Sequence, residues 1–145
     1  MSTASDIIAR VRTTVATVSG LSSDKVIRGR PNTLAEGGSP PVAWVFLESL
    51  VSNYGPDLTS YQRDLTVGIV AVGASGSGYA AREDAALTLL DGIYAALEAD
   101  TTLLGYLTIA PVLSGEVGIV ASMPGVVGVE IKIQCQYQMA QGDGL

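Results

Sequence analysis

The sequence of 145 residues predicts a single α+β domain, in which two helices pack on one face of a mixed, mainly antiparallel sheet of four to five strands. Three observations predict this class. A long alternating segment near the C-terminus is typical of a strand with one buried face. Two segments with apolar residues every three or four positions are typical of amphipathic helices. Two apolar runs between them, joined by a short turn, are typical of a β-hairpin. The predicted order is α-β-β-β-α-β-β.

The first helix is predicted to begin at Ser5 and Asp6 and to end at Gly20. Ser5 is a favourable N-cap, and a carboxylate in the first turn suits the helix dipole. Gly20 would close the helix in the left-handed conformation. One stripe of this segment is apolar and consists of Ile7, Ile8, Val11, Val15 and Val18. A short strand at residues 25–28 follows.

Residues 29–41, GRPNTLAEGGSPP, contain three glycines and three prolines and have no hydrophobic period. This composition predicts a long loop or an extended arm, which we call the arm. Long loops in compact domains are usually either functional or disordered, so a contact arm and a mobile loop both remain open. As a contact arm, it would present Arg28, Arg30 and Pro31 to neighbouring subunits.

A hairpin follows the arm. Its first strand, at residues 42–51, begins with VAWVFL, which is apolar on both faces and typical of a central strand covered on two sides. Glu48 and Ser49 are predicted to mark its exit to solvent. The second strand, at residues 61–72, is predicted to pair with the first because the connection is short.

The connecting turn at residues 52–60, SNYGPDLTS, offers two further contact residues, Tyr54 and Asp57. Tyr54 is a candidate anchor because aromatic side chains are enriched at the cores of interfaces. A solvent-exposed loop tip is the alternative for this turn and for the arm.

The second half of the chain predicts a helix at residues 79–98, a compact turn after Asp100 and a strand at about 107–113. Residues 114–122 continue that strand or form a loop. From Val127 to Met139, apolar residues at odd positions alternate with mainly polar ones, which predicts a long strand with one dry and one wet face. Cys135 lies on the dry face and is predicted to be a buried structural thiol.

A glycine-rich turn precedes the second helix in the stretch GASGSGYAARED, residues 73–84. Gly76, Gly78 and Ala81 match the pattern G-x-G-x-x-A, which can hold a dinucleotide phosphate between a strand and a helix. That fold also needs an acidic residue at the end of the next strand and several parallel strands, and neither follows here. The turn is therefore predicted to be a hinge or contact loop, with no cofactor.

Composition excludes several kinds of chemistry. Histidine is absent and Cys135 is the only cysteine, which excludes an internal disulfide, an ordinary zinc site and a Ser-His-Asp or Cys-His centre within one chain. No segment is typical of a secretory signal or a transmembrane helix. The hydrophobic fraction of 48% is high for a chain without a predicted transmembrane helix. It indicates surface that is buried against other subunits.

Charge is distributed unevenly along the chain. Residues 1–35 hold five basic and two acidic residues, whereas residues 36–145 hold three basic and twelve acidic ones. The sequence pI of about 4.4 speaks against tight binding of nucleic acid. A polarised layout of this kind suits head-to-tail packing of copies, although a solvated surface explains it as well.

Several phrases together resemble the tail terminator proteins (minor tail U-like, or tail-completion proteins) of long-tailed bacteriophages. They are PPVAWVFLE, REDAALTLLD followed by IYAAL, ADTTLLGYL and the long final strand, and the resemblance extends from Asp6 to about Met139. It implies a structural protein without catalytic residues. Members form a ring, usually of six copies, that caps the tail tube, stops its growth and provides the surface to which the head attaches.

The resemblance also implies partners and a location. The partners are copies of the same chain, the tail tube protein and a neck or head-completion protein, with genomic DNA passing through the ring without tight binding and no membrane. The protein would be assembled in the host cytoplasm and reside in the virion at the head-tail junction. Two alternatives remain: a head-side neck or connector protein, and a small nucleotide-binding enzyme that uses the glycine turn at residues 73–81.

Overall fold

The computed structural model describes residues 3–54, 59–76 and 78–140. Within these residues the helices are α1 (Thr3–Val15), α2 (Tyr79–Glu98) and the short α3 (Thr101–Gly105). The strands are β1 (Val26–Arg28), β2 (Val42–Tyr54), β3 (Ser60–Val72), β4 (Val112–Ile119) and β5 (Val127–Ala140). Two short 3-10 turns lie at Ser23–Lys25 and Leu34–Gly37.

All five strands form one sheet in the order β1-β2-β3-β5-β4. β1 is parallel to β2, and every other neighbouring pair is antiparallel. The two long helices pack on the same face of this sheet. The predicted class, a mixed and mainly antiparallel sheet with two helices on one face, is therefore confirmed, with α3 as a small addition.

The main core lies between the sheet and the two long helices. α1 contributes Ile7, Ile8, Val11 and Val15, and α2 contributes Leu89, Ile93 and Leu97. The sheet contributes alternate residues of its central strands, including Ile69, Ile131 and Ile133. Each such side chain stabilises the fold by roughly 1.5–3 kcal/mol on full burial, so this face supplies most of the hydrophobic stabilisation.

A second, smaller core covers one end of the opposite face. It consists of Val42, Trp44, Val70, Val72, Val120 and Met123. The partly buried residues packed against it include Leu34 and Val126. This core explains why the segment VAWVFL is apolar on both faces: the first half of β2 is covered on both sides, as predicted.

β2 continues to Tyr54, beyond its predicted end at residue 51, so residues 52–54 of the predicted turn belong to the strand. Its side chains become exposed to solvent around Glu48 and Ser49, as predicted. Its pairing with β3 shifts at this point: Leu47 lies opposite Val67, and Ser49 lies opposite the preceding residue, Thr66. Glu48 is therefore the extra residue of a β-bulge. A bulge tolerates a polar residue in mid-strand, so the pairing with β3 continues beyond Glu48.

The boundaries of α1 also differ from the prediction. The helix begins at Thr3, so Ser5 lies inside its first turn and is not the N-cap. The last helical residue is Val15, and a series of turns leads to Gly20, which has a φ of 87°. The left-handed conformation of Gly20 is as expected, but it closes these turns rather than the helix itself.

The strand predicted at residues 107–113 is displaced, since β4 spans Val112–Ile119. Pro111 has no amide hydrogen to donate to a ladder, so regular pairing with β5 begins after it. β4 also contains Gly115, where an added Cβ would lie 2.8 Å from the hydroxyl of Tyr94. α2 therefore approaches β4 closely at this glycine. Because Gly115 has no side chain, the usual sequence pattern of a strand is interrupted here.

The predictions for α2 and β5 are confirmed. α2 spans Tyr79–Glu98 and buries Ala86, Leu89, Ile93 and Leu97. In β5 the odd positions are buried from Val127 to Tyr137, while Lys132, Gln134 and Gln138 are exposed. Cys135 is buried, and burial raises the pKa of its thiol to about 11, so little reactive thiolate forms near neutral pH.

Candidate assembly surfaces

The polar cluster that most resembles an active site surrounds Asp100, the N-cap of α3. Its carboxylate accepts hydrogen bonds from Arg10 at 2.9–3.1 Å, from the hydroxyl of Thr14, and from the backbone amides of Thr102 and Leu103 at 3.1 Å. Although burial disfavours the charge, these hydrogen bonds hold the pKa of Asp100 below its ordinary value.

Every acceptor position of Asp100 is used within the chain, and its side chain is only 2% exposed. The carboxylate therefore has no free acceptor position to offer a ligand. The cluster instead ties α1 to the start of α3 across 90 positions of sequence. Its role is structural, and sequence reasoning missed it because Arg10 and Asp100 are not linked by any local pattern.

The first residues of the arm are fixed on the chain's own sheet. The guanidinium of Arg30 lies 4.7 Å from the ring centroid of Phe46, donates to the carbonyl of Leu47 at 3.1 Å and pairs with Glu48 at 3.5 Å. The Phe46 ring rests on Gly68, where an added Cβ would lie 2.4 Å from the ring. Arg30 is thereby held at the outer side of β2 while 62% of its side chain stays exposed.

The rest of the arm covers the second core. Pro31 is buried, Leu34 packs against that core, and the carbonyl of Ser39 accepts a hydrogen bond of 2.6 Å from Lys25. Arg28 is exposed at the end of β1 and forms no ion pair with any residue that the structure describes. Contact between the arm and neighbouring subunits stays a prediction.

The second group of predicted contact residues lies far from the first. Tyr54 is 61% exposed at the end of β2 and stacks on Tyr61, with ring centroids 4.9 Å apart. Tyr54 lies six positions along the strand from Glu48, which corresponds to ~20 Å. Arg30 and Tyr54 therefore do not form one site, and Asp57 lies outside the described residues.

The strands beside the glycine turn are not arranged as in a phosphate-binding fold of the Rossmann type. Gly76 has a φ of 77°, Gly78 is the N-cap of α2 with an ordinary φ of −63°, and open space surrounds both. β3, which precedes the turn, has antiparallel neighbours on both sides. A dinucleotide site of the Rossmann type needs parallel strands here. Across the described ranges, no cluster of three potential metal ligands occurs either.

We expect the protein to bind no nucleotide, because the turn has no parallel βαβ unit and no acidic residue placed for a ribose. Titration with NAD, ATP and FAD by calorimetry should give no heat of binding. A micromolar site that is lost in the variant Gly78→Val would contradict this expectation, since valine would fill the space that a phosphate needs.

Among the residues that the structure describes, no strand pairs with the outer side of either edge of the sheet. β1 pairs with β2 only at Ala43–Val45, so the second half of β2 lies at an edge, and β4 forms the other edge. Large apolar side chains are exposed along both edges: Leu47, Leu50, Val51 and Tyr54 on β2, and Val112 and Ile119 on β4. Exposed strand edges are templates for pairing with another chain. These edges are the best candidates for assembly surfaces.

The polar face of the sheet between the edges is largely satisfied by cross-strand contacts. Gln136 donates to Asp64 at 3.3 Å, and Gln138 donates to Ser60 at 2.6 Å. Lys132 approaches Glu48 at 3.9 Å. This face suits a wetted surface, in agreement with the alternation predicted for β5. The charged side chains of Arg30, Glu48, Glu130 and Lys132 line one shallow cleft on it.

Comparison with known proteins gives no further identification: no protein-family model matches the chain, and no curated protein matches it. None of the helices in the described part of the chain is both long and apolar enough to cross a membrane.

Proposed function

We propose that this protein is a structural subunit that assembles with copies of itself into a closed ring at the end of a long-tailed bacteriophage's tail tube. There it would stop tube growth and provide the surface to which the head attaches. The proposal rests on the two open sheet edges with their exposed apolar side chains. The resemblance of the sequence phrases to tail terminator proteins supplies the biological setting.

The chemistry of the chain supports a structural role. The polar cluster around Asp100 is held by hydrogen bonds within the chain, which occupy the carboxylate. The lone thiol is buried and its pKa is raised, so it is a poor nucleophile. A ring subunit needs none of these groups for catalysis; it needs two complementary surfaces and a rigid body between them.

The proposed function predicts that the protein forms a closed oligomer. The resemblance to tail terminator proteins implies six copies. Native mass spectrometry of the purified protein, alone and with purified tail tubes, should give one discrete oligomer. Electron microscopy should place it at tube ends, and tubes assembled without it should vary in length. A chain that stays monomeric in solution and does not bind tube ends would refute the proposal.

A head-side neck or connector protein is the second candidate, because it would also be a ring-forming joint. Binding to isolated components separates the two. A tail terminator should bind tail tubes that lack heads, whereas a connector should bind filled heads that lack tails. Labelling the protein in each preparation and imaging the particles gives the answer directly.

A further inference from the structure

The two open edges belong to strands that run in opposite directions. β2 is antiparallel to β3, β3 to β5, and β5 to β4, so β4 runs opposite to β2. A second copy placed beside the first in the same orientation therefore sets its β2 antiparallel to β4. Antiparallel pairing is the more stable arrangement per residue.

The available part of the β2 edge is well defined. β1 covers Ala43–Val45, and the Arg30 guanidinium occupies the carbonyl of Leu47 next to the bulge. In the described part of the chain no strand pairs with the outer side of Ser49–Tyr54 or of Val112–Ile119. Neither segment contains lysine or proline, the residues that commonly protect edge strands.

We propose that β4 of one copy pairs antiparallel with Ser49–Tyr54 of the next copy, with Ser114 opposite Val51. The proposal deepens the proposed function and rests on it, because it names the surfaces through which the ring would close. Two different edges meet, so the contact is heterologous. Contacts of that type generate rings or filaments rather than two-fold dimers.

The faces of the two strands restrict the register. Val51 lies opposite Asp64 on the polar face of β3, and Ser114 lies opposite Lys132 on the polar face of β5. Paired residues point to the same face of a sheet, so residues on the polar face of one copy must meet those of the other. On the helix-side face, this register places the exposed Leu50 between the neighbour's Leu113 and Val117.

Several registers bring the polar faces of the two copies together, and the charge of Glu116 favours one of them. Glu116 lies directly opposite Glu130 and forms no ion pair with any described residue. Opposed like charges destabilise a strand pair, so a cation supplied by a neighbour would relieve them. With Ser114 opposite Val51, Glu116 comes beside Ser49, next to the exposed guanidinium of Arg30 in the neighbouring copy.

A cysteine cross-link tests this pairing in the full-length protein. In the double variant Val51→Cys, Ser114→Cys, the two Cα atoms should lie roughly 4.5–5.5 Å apart, within the range of a disulfide. Mild oxidation should give covalent ladders up to the full ring on non-reducing gels. Each single variant should remain uncrosslinked, because a heterologous contact keeps identical residues apart. The native Cys135 is buried and should not interfere.

The variant Val51→Cys, Val112→Cys is the matched control, since its second cysteine is on the same strand and face but two residues away, and Glu116 keeps its charge. It should cross-link about tenfold more slowly, because the Cα separation exceeds disulfide geometry. If the protein assembles but the first pair of cysteines does not cross-link, the proposed interface is wrong, while the proposed ring is not affected. Faster cross-linking of the control would overturn the register. A monomeric chain in all variants, even with tail tubes, would overturn both the interface and the proposed function.

Discussion

Replacing Asp100 by asparagine is expected to lower the free energy of unfolding by roughly 2–4 kcal/mol. The carboxylate receives hydrogen bonds from Arg10, Thr14 and two amides of α3. Asparagine keeps the size and one carbonyl oxygen, but it loses the charge and replaces an acceptor with a donor. The guanidinium of Arg10 is then left without its counter-charge, although its partial exposure lets water replace some of the loss.

Urea denaturation measures this effect, and Asp91→Asn is the matched control. Asp91 is exposed on α2, so its variant should stay within about 0.5 kcal/mol of the natural protein. The variant of Asp100 should shift the midpoint without changing the slope, since the surface exposed on unfolding is the same. Equal stability of the two variants would show that the cluster does not hold α1 against α3.

The same carboxylate makes stability depend on pH. Its pKa in the folded state lies below the ordinary value of about 3.9, so the folded protein holds the charged form more strongly than the unfolded chain does. The stabilisation is fully present above that ordinary value and is lost as the pH falls through the lower folded pKa. The stability gap between the natural protein and the Asp100→Asn variant should therefore be wide at pH 7 and should narrow below about pH 4.

The parts of the fold that could be predicted from sequence are those encoded by neighbouring residues. α2 and β5 have regular periods of apolar residues, and both were placed correctly. β4 was displaced because Pro111 interrupts an apolar run and glycine replaces the side chains that usually mark a strand. The bulge at Glu48 arises from the pairing of β2 with β3, so it cannot be predicted from the residues next to Glu48 in the sequence.

The candidate site was predictable only as a set of separate residues. The positive charge at the beginning of the arm was recognised, but the stack of Arg30 on Phe46 over Gly68 joins three distant segments of sequence. That stack shows that the arm covers its own sheet. The sequence indicated surface buried against other subunits but did not locate it at the sheet edges. Which strand lies at an edge depends on the strand order, and periodicity carries no information about that order.

Replacing Leu50 by lysine is expected to prevent assembly while leaving the monomer folded. Leu50 is 43% exposed, so the monomer loses little buried surface. In the proposed pairing, however, its side chain is covered by the apolar residues of a neighbouring β4. A charged ammonium there must be desolvated without a partner, and lysine on an edge strand is a common device against edge-to-edge pairing.

We expect this variant to weaken each subunit contact by at least a hundredfold, or about 2.7 kcal/mol. Leu87→Lys is the matched control, because Leu87 is 42% exposed but belongs to α2 and not to either edge strand. Native mass spectrometry should find the first variant monomeric and the second fully assembled, and circular dichroism should give the same folded spectrum for both. In tail assembly, Leu50→Lys should give tubes of irregular length without heads. If it assembles as well as Leu87→Lys does, the outer half of β2 does not carry the contact between subunits.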